Sequence, residues 1–122
     1  MADNTGINEL VSRAFTSRNA THLEHWKTKS YAQHMALGDF YDSIVDQVDG
    51  IVEAYQGNFG IVGIQLKNMA ISKNIINQLK GDVAWIASNR SQIANKVSAI
   101  ENMLDSLCEL YLTTIYKLTN LS

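Results

Sequence analysis

Core positions recur every three or four residues along most of the chain, which is the spacing of one face of an α-helix. The clearest case runs from Ile93 to Leu118 in alternating steps of four and three. The apolar phase of the first segment continues through the polar cluster at 16–21. One helix is therefore expected there, although Thr21 and Glu24 would form a capping box if the segment broke. The pattern predicts four helices, over residues 5–28, 30–56, 72–90 and 91–119.

The second predicted helix carries an acidic stripe beside its apolar one. The apolar stripe comprises Leu37, Tyr41, Ile44, Val48, Ile51 and Tyr55. The acidic stripe comprises Asp42, Asp46, Asp49 and Glu53, and there is no lysine or arginine from 39 to 53. Like charges one helical turn apart repel by a few tenths of a kcal/mol per pair. A bound cation, a basic partner surface or full solvation would each offset that repulsion.

A glycine-containing turn at Gln56–Gly60 is predicted to end the second helix. The following residues, 61–71, are apolar and contain Gly63, so they suit an irregular or strand-like crossover better than a helix. We place the crossover at 57–71, between the second and third helices. Four helices with one long connection predict an all-α, ferritin-like four-helix bundle.

Composition limits the remaining possibilities. A chain of 122 residues suits one domain, 1–122, and the absence of proline suits long helices. A single cysteine excludes an internal disulfide, and the net charge of −2 gives no general attraction to nucleic acid. No apolar run approaches the ~20 residues that a membrane span needs, and the first residues lack a signal pattern. We expect a soluble, cytoplasmic protein with no membrane partner.

The chemistry available to the chain centres on its three histidines, His22, His25 and His34. A histidine on an apolar helix face is most often a packed, hydrogen-bonded residue. Histidines followed by carboxylates at helical spacing can instead bind a metal ion such as iron, manganese or zinc. His34 and Asp49 lie about 22 Å apart along one helix, so they can share an ion only between two chains. Asp49 and Glu53 place two oxygen ligands on adjacent turns of that helix.

The pair His25-Trp26, followed by His34 and then by DGIVEAYQG at 49–57, resembles the Dps-type mini-ferritins. The resemblance implies a metal site between subunits for iron or another divalent ion, with ferroxidase chemistry. Its implied ligands are His25, His34, Asp49 and Glu53, with His22, Asp39 and Asp46 close to the ligands. The pattern THxxH…SYAxHxAL…YQG and the YKL near the end also resemble short phage-encoded proteins.

Two features depart from the mini-ferritin pattern. Gly38 stands where the family has a metal-bridging acid, four residues after the second histidine. The lysine-rich tail that binds DNA has no counterpart in MADNTG, so we expect no nucleic-acid partner. These departures keep a second hypothesis open. It describes a non-enzymatic phage-encoded helical protein, for interaction or virion association, whose acidic stripe is the contact surface.

Assembly is predicted under either hypothesis. The acidic segment 39–53 and the segment 54–81, which has lysines and no acids, have complementary charge. The apolar crossover at 57–71 is longer than a bundle needs, and such surface is usually covered by a partner. We predict a homo-oligomer with a twofold interface formed largely by the second helix and the crossover.

Overall fold

The structure, a computed structural model, describes residues 2–122 and is a bundle of four α-helices. The helices are α1 (Thr5–Lys27), α2 (Tyr31–Phe59), α3 (Ile75–Ile93) and α4 (Ser98–Asn120). No β-strand occurs within the described residues. The predicted all-α four-helix fold is confirmed, and α1 is continuous through 16–21 as expected.

A long irregular crossover, residues 60–74, joins α2 to α3 and confirms the predicted connection between these helices. It runs beside α1, where the backbone amide of Lys67 donates to the Ser12 hydroxyl at 2.9 Å. It thereby returns the chain to the end of the bundle where α2 begins. Accordingly α3 runs parallel to α2 and packs against α1 and α4, while α2 packs against the same two helices.

Two predicted boundaries of the crossover are wrong by a few residues. The helix continues past the predicted turn to Phe59 and ends at Gly60, whose φ of +93° is rarely adopted by other residues. A side chain at Gly57 would meet nothing within 4 Å, so this glycine fits an exposed helical turn. The third helix begins after Asn74, whose side chain caps it by accepting from the Asn77 amide, and not at residue 72 as predicted.

The boundary between the third and fourth helices is also wrong. α3 continues to Ile93, and α4 begins only at Ser98. Between them Asn95 and Lys96 adopt positive φ values of 48° and 66° and reverse the chain. No glycine or proline marks this turn, and the apolar phase continues across it, so the periodic pattern conceals the break.

The core consists mainly of the predicted stripes. In α4 the predicted positions from Ile100 to Leu118 are all buried. In α2 the stripe is buried except at Tyr41, and Phe40 occupies the core in its place. Phe15 of α1 is 40% exposed and lies beside a surface groove. Tyr41 leaves the core because it packs against the histidines of α1.

One buried carboxylate joins three helices. Asp82 of α3 is 2% exposed and accepts hydrogen bonds from Ser17 of α1 and from Tyr111 of α4, the latter at 2.8 Å. The guanidinium of Arg13 donates to it at 3.3 Å and lies over the Trp85 ring. Burial raises the pKa of Asp82, although these hydrogen bonds partly oppose the shift. Every described side-chain polar atom in the core has a partner, which fixes how the helices pack.

None of the helices in residues 2–122 combines the length and hydropathy that crossing a bilayer would require.

Candidate metal centre

His25 and His34 face each other across the corner between α1 and α2. His25 lies in the last turn of α1 and His34 in the first turn of α2. The chain turns between them at 28–30, where the side chain of Ser30 accepts from the Gln33 amide and caps α2. The two imidazole rings stack with centroids 3.6 Å apart and planes 20° apart. Sequence separation alone predicts neither the stacking nor its closeness.

Each ring of this His25–His34 pair hydrogen-bonds to the backbone of the other residue. Nδ1 of His25 lies 2.7 Å from the carbonyl oxygen of His34, and Nδ1 of His34 lies 2.9 Å from that of His25. A carbonyl oxygen only accepts, so both Nδ1 atoms carry the proton. In the neutral rings both Nε2 atoms therefore keep a free lone pair. The carbonyl of His25, in the last turn of a helix, gains a partner that the helix itself does not supply.

Gly38 gives the His25 ring its space. A Cβ atom at position 38 would lie 3.2 Å from Cε1 and 3.5 Å from Nδ1 of His25. That contact is tighter than most Cβ contacts, so a side chain there requires the imidazole to shift by a few tenths of an ångström. In the sequence Gly38 stands where the mini-ferritin pattern has an acid. In the structure its lack of a side chain leaves space for the His25 ring.

His22 lies beside the pair but belongs to a separate aromatic stack. Its ring stacks on Tyr41 with centroids 4.1 Å apart and contacts Trp26 at 4.5 Å. The guanidinium of Arg18 lies 5.3 Å from the Tyr41 centroid. His22 and His25 have ring centroids 6.3 Å apart. His22 therefore packs beside His25 at the corner. Trp26 is 68% exposed.

The predicted carboxylate ligands lie elsewhere on α2. Asp49 and Glu53 are exposed and form no ion pair within residues 2–122. They border an apolar groove of about 470 Å³ between α1, α2 and the crossover. The other groove-lining residues are Val11, Phe15, Val48, Val52, Ile64 and Leu66. Asp39 and Asp46, which were predicted to lie close to the ligands, are also exposed.

The single chain brings the two histidines together and leaves the carboxylates apart. Across residues 2–122, no three histidine, cysteine or acidic side chains converge where an ion could bind. The fifteen residues from His34 to Asp49 span about 22 Å of helix, as the sequence predicted. A four-ligand site from these residues thus requires a second chain.

Two contributions were missed by the sequence reasoning. The Nδ1 bonds of the histidine pair depend on a corner whose geometry no periodicity encodes. Asp82 was also missed, because one acid among the polar positions of α3 gives no pattern. A signal for it did exist, since Asp82 lies three residues after the core position Leu79 and four before Ile86, on the buried face.

Comparison with known proteins gives one match. Residues 25–118 match the model of a single protein family, described as a family of unknown function (DUF5856). The match begins at His25 and includes His34, Asp49 and Glu53. Neither a curated protein nor a solved structure matches the chain.

Proposed function

The chain belongs to the DUF5856 family, a family of unknown function, and we propose that it is a ferritin-like metal-binding protein. The proposed ligand is iron or a related divalent ion, held between two chains by His25, His34, Asp49 and Glu53. The observation that carries the proposal is the reciprocal bonding of the two histidines, which leaves both Nε2 atoms free.

The hydrogen bonding of each ring suits a metal ligand. Histidines that bind metals almost always donate their other ring N–H to a carbonyl or carboxylate, which fixes the tautomer and the ring orientation. His25 and His34 have this arrangement before any ion binds. The rings stack with planes 20° apart, so their Nε2 lone pairs lie in nearly parallel planes, and a ring must turn before both nitrogens bind the same ion.

A second copy of the chain would supply the carboxylates. Asp49 and Glu53 are exposed, unpaired within the described residues and one helical turn apart. An antiparallel pairing of two α2 helices would bring this end of one helix to the His34 end of the other. Exposed apolar residues of the crossover support such a contact, since Ile61 is 90% and Leu66 is 60% exposed. The proposed assembly is a homo-oligomer with twofold symmetry.

The proposed chemistry begins with binding. Imidazole nitrogens and carboxylate oxygens together suit iron, zinc and related ions. If Fe²⁺ is the substrate, its oxidation by dioxygen is the candidate activity, as the mini-ferritin resemblance implies. The chain itself would hold the ion with two histidines on one side and two carboxylates on the other.

A second proposal is a non-enzymatic interaction or virion-associated protein. The exposed acids beside the apolar groove are the observation that favours it. Under this proposal Asp49 and Glu53 meet a basic, apolar partner rather than a metal ion. Gly38 in place of an acid also fits it.

Anaerobic titration with Fe²⁺, followed by admission of air, tests the first proposal. We expect saturable binding, followed by oxidation faster than in buffer alone. Asp49→Asn should weaken binding, whereas Asp42→Asn, an exposed acid of the same helix outside the ligand set, should not. An absence of binding together with oxidation at the buffer rate would reject the metal proposal and favour the interaction protein.

A further inference from the structure

Trp26 and the apolar groove lie at opposite ends of one face of the bundle. The groove is the one of about 470 Å³ between α1, α2 and the crossover. We infer that two copies of the chain pair through this face, with Trp26 of each copy docked in the groove of the other. This contact rests on the twofold pairing in the proposed function and needs no metal ion.

Helical spacing places Trp26 and the groove on the same face of α1. Val11 and Phe15 line the groove, and Arg18, His22 and Trp26 follow Phe15 at steps of three, four and four residues. At ~100° per residue these five positions fall within about 80° of one another. Trp26 lies eleven residues beyond Phe15, which is roughly 16 Å of helix. Its indole ring therefore cannot enter the groove of its own chain.

Twofold symmetry exchanges the two ends of this face. Trp26 follows His25, whose ring stacks on that of His34, so it lies at the His34 end of α2. The groove lies at the Asp49 end of the same helix. Tyr41 is seven residues from His34 and eight from Asp49, and so marks the midpoint. A twofold axis there, with the α2 helices antiparallel, brings Trp26 of each copy to the groove of the other, and the pair is closed.

The groove and the indole match in chemistry. Trp26 is 68% exposed, although tryptophan is a highly buried residue on average. Six of the eight groove-lining residues are apolar, and one of them, Leu66, is 60% exposed. The other two are Asp49 and Glu53, and either carboxylate can accept the indole N–H, which usually finds a partner when it is buried. A carboxylate has two oxygens, so this bond leaves one free.

Charge also favours a second copy as the occupant. Lys27 and Lys29 follow Trp26, are exposed and form no ion pair within residues 2–122. The groove end has Asp46, Asp49 and Glu53, with no lysine or arginine from 39 to 53. Antiparallel pairing places the lysines of one copy near the acids of the other, whereas parallel pairing places like charges together.

Trp26→Ala and Leu66→Asp alter the two halves of the contact separately. Both side chains are exposed, so neither change should disturb the core. Tyr116→Ala and Leu112→Asp are the matched controls, because these residues are exposed and lie on α4, which packs against α2 and α3 but not α1. Truncation of an anchoring tryptophan typically lowers affinity about 30-fold or more. We expect a loss of that size in dimer affinity for Trp26→Ala and for Leu66→Asp, and none for the controls.

Sedimentation equilibrium of the metal-free full chain measures the dimer affinity. The wild type should dimerise, and Trp26→Ala and Leu66→Asp should each dissociate at concentrations where both controls remain paired. An equimolar mixture of these two variants should pair more tightly than either alone. The reason is that a mixed dimer keeps one unaltered contact, between Trp26 of the Leu66→Asp chain and the groove of the Trp26→Ala chain.

The contrary results separate this contact from the proposals on which it rests. A wild-type dimer that Trp26→Ala leaves equally tight, or a mixture no tighter than its components, would overturn the docking of Trp26 while keeping the twofold pairing. A monomeric wild type would reject the twofold pairing itself and assign the groove to a different partner. A dimer that behaves as expected but binds no Fe²⁺ would support the docking and reject the metal proposal.

Discussion

His25 and His34 each hydrogen-bond through Nδ1 to the backbone carbonyl of the other, at 2.7 and 2.9 Å, across the corner between α1 and α2. The arrangement holds two helix ends together and leaves two imidazole nitrogens unused. Under the proposed function, stability and metal binding would both depend on this pair of side chains. Each of these contributions can be measured separately.

The protonation of the rings is the first prediction. Because both Nδ1 atoms donate to carbonyl oxygens, His25 and His34 should both be Nδ1–H tautomers when neutral. Nitrogen-15 spectra of the imidazoles, recorded at alkaline pH without metal, distinguish the two tautomers. His22, which makes no ring hydrogen bond within residues 2–122, serves as the internal comparison. Nε2–H tautomers at His25 and His34 would show that the reciprocal bonds do not form in solution.

The contribution of the pair to stability is the second prediction. His34→Ala removes one reciprocal bond and the ring stack, and leaves the His25 carbonyl without its side-chain donor. We expect a loss of about 1–2 kcal/mol in the free energy of unfolding. Tyr31→Ala is the control, because Tyr31 lies in the same turn and is 77% exposed, and it should change stability by less than ~0.5 kcal/mol. Equal effects in urea titrations would mean that the pair adds nothing beyond ordinary surface packing.

Metal-dependent stabilisation is the third prediction. A ligand present at roughly 100 times its Kd stabilises the folded state by about 2.7 kcal/mol. The wild-type chain should show such a gain with Zn²⁺, and the double variant Asp49→Ala, Glu53→Ala should lose most of it. Asp42→Ala should keep the gain. Thermal unfolding with and without the ion provides the measurement. If the double variant gains as much stability from the ion as wild type does, Asp49 and Glu53 are not ligands of the site.

The pH dependence of folding is the fourth prediction, and it concerns Asp82. Burial raises the pKa of this carboxyl above its ordinary value of 3.8, so the folded state holds the proton more tightly than the unfolded state does. The stability that this group contributes is therefore fully present below pH 3.8 and is lost as pH rises through the folded-state pKa. Asp82→Asn has no charge to bury and should lack this component.

Urea titrations across the acidic range test this difference. The free energy of unfolding of wild type should fall relative to that of Asp82→Asn as pH increases, and the difference should level off near neutral pH. Other carboxylates titrate in both proteins and cancel in the comparison. Parallel curves for the two proteins would contradict a raised pKa at Asp82.

The fold could be predicted because it depends on periodicity. The spacing of three and four residues that places Leu104, Leu107 and Tyr111 in the core is a local property of the sequence. It indicates a helix with one apolar face whichever elements that face packs against. The turn at Asn95 could not be predicted from the sequence. Asparagine tolerates a positive φ but does not require one, so the residue type alone does not mark a turn. Likewise, Gly57 suggested a turn, yet it lies within α2. The helix continues to Phe59 and ends at Gly60.

The candidate site could be predicted only in part. Helical rise alone separates His34 from Asp49, so the sequence already predicted that a site containing both would take two chains. The closeness of Gly38 to the His25 ring could not be predicted, because it depends on where that ring lies after the chain turns between α1 and α2. Tyr41 was assigned to the core by its phase, but in the structure its ring stacks on that of His22 at the edge of the core, a contact that helical periodicity does not encode.

The central claim, an ion shared between two chains, is tested most directly by mixing two variants. His25→Ala, His34→Ala retains only the carboxylates, and Asp49→Ala, Glu53→Ala retains only the histidines. Neither variant alone should bind Zn²⁺. After unfolding and refolding together in equal amounts, half of the dimers are mixed and contain one intact site, so about a quarter of the wild-type capacity should return. Binding by either variant alone, or none in the refolded mixture, would contradict a site built from the histidines of one chain and the carboxylates of another.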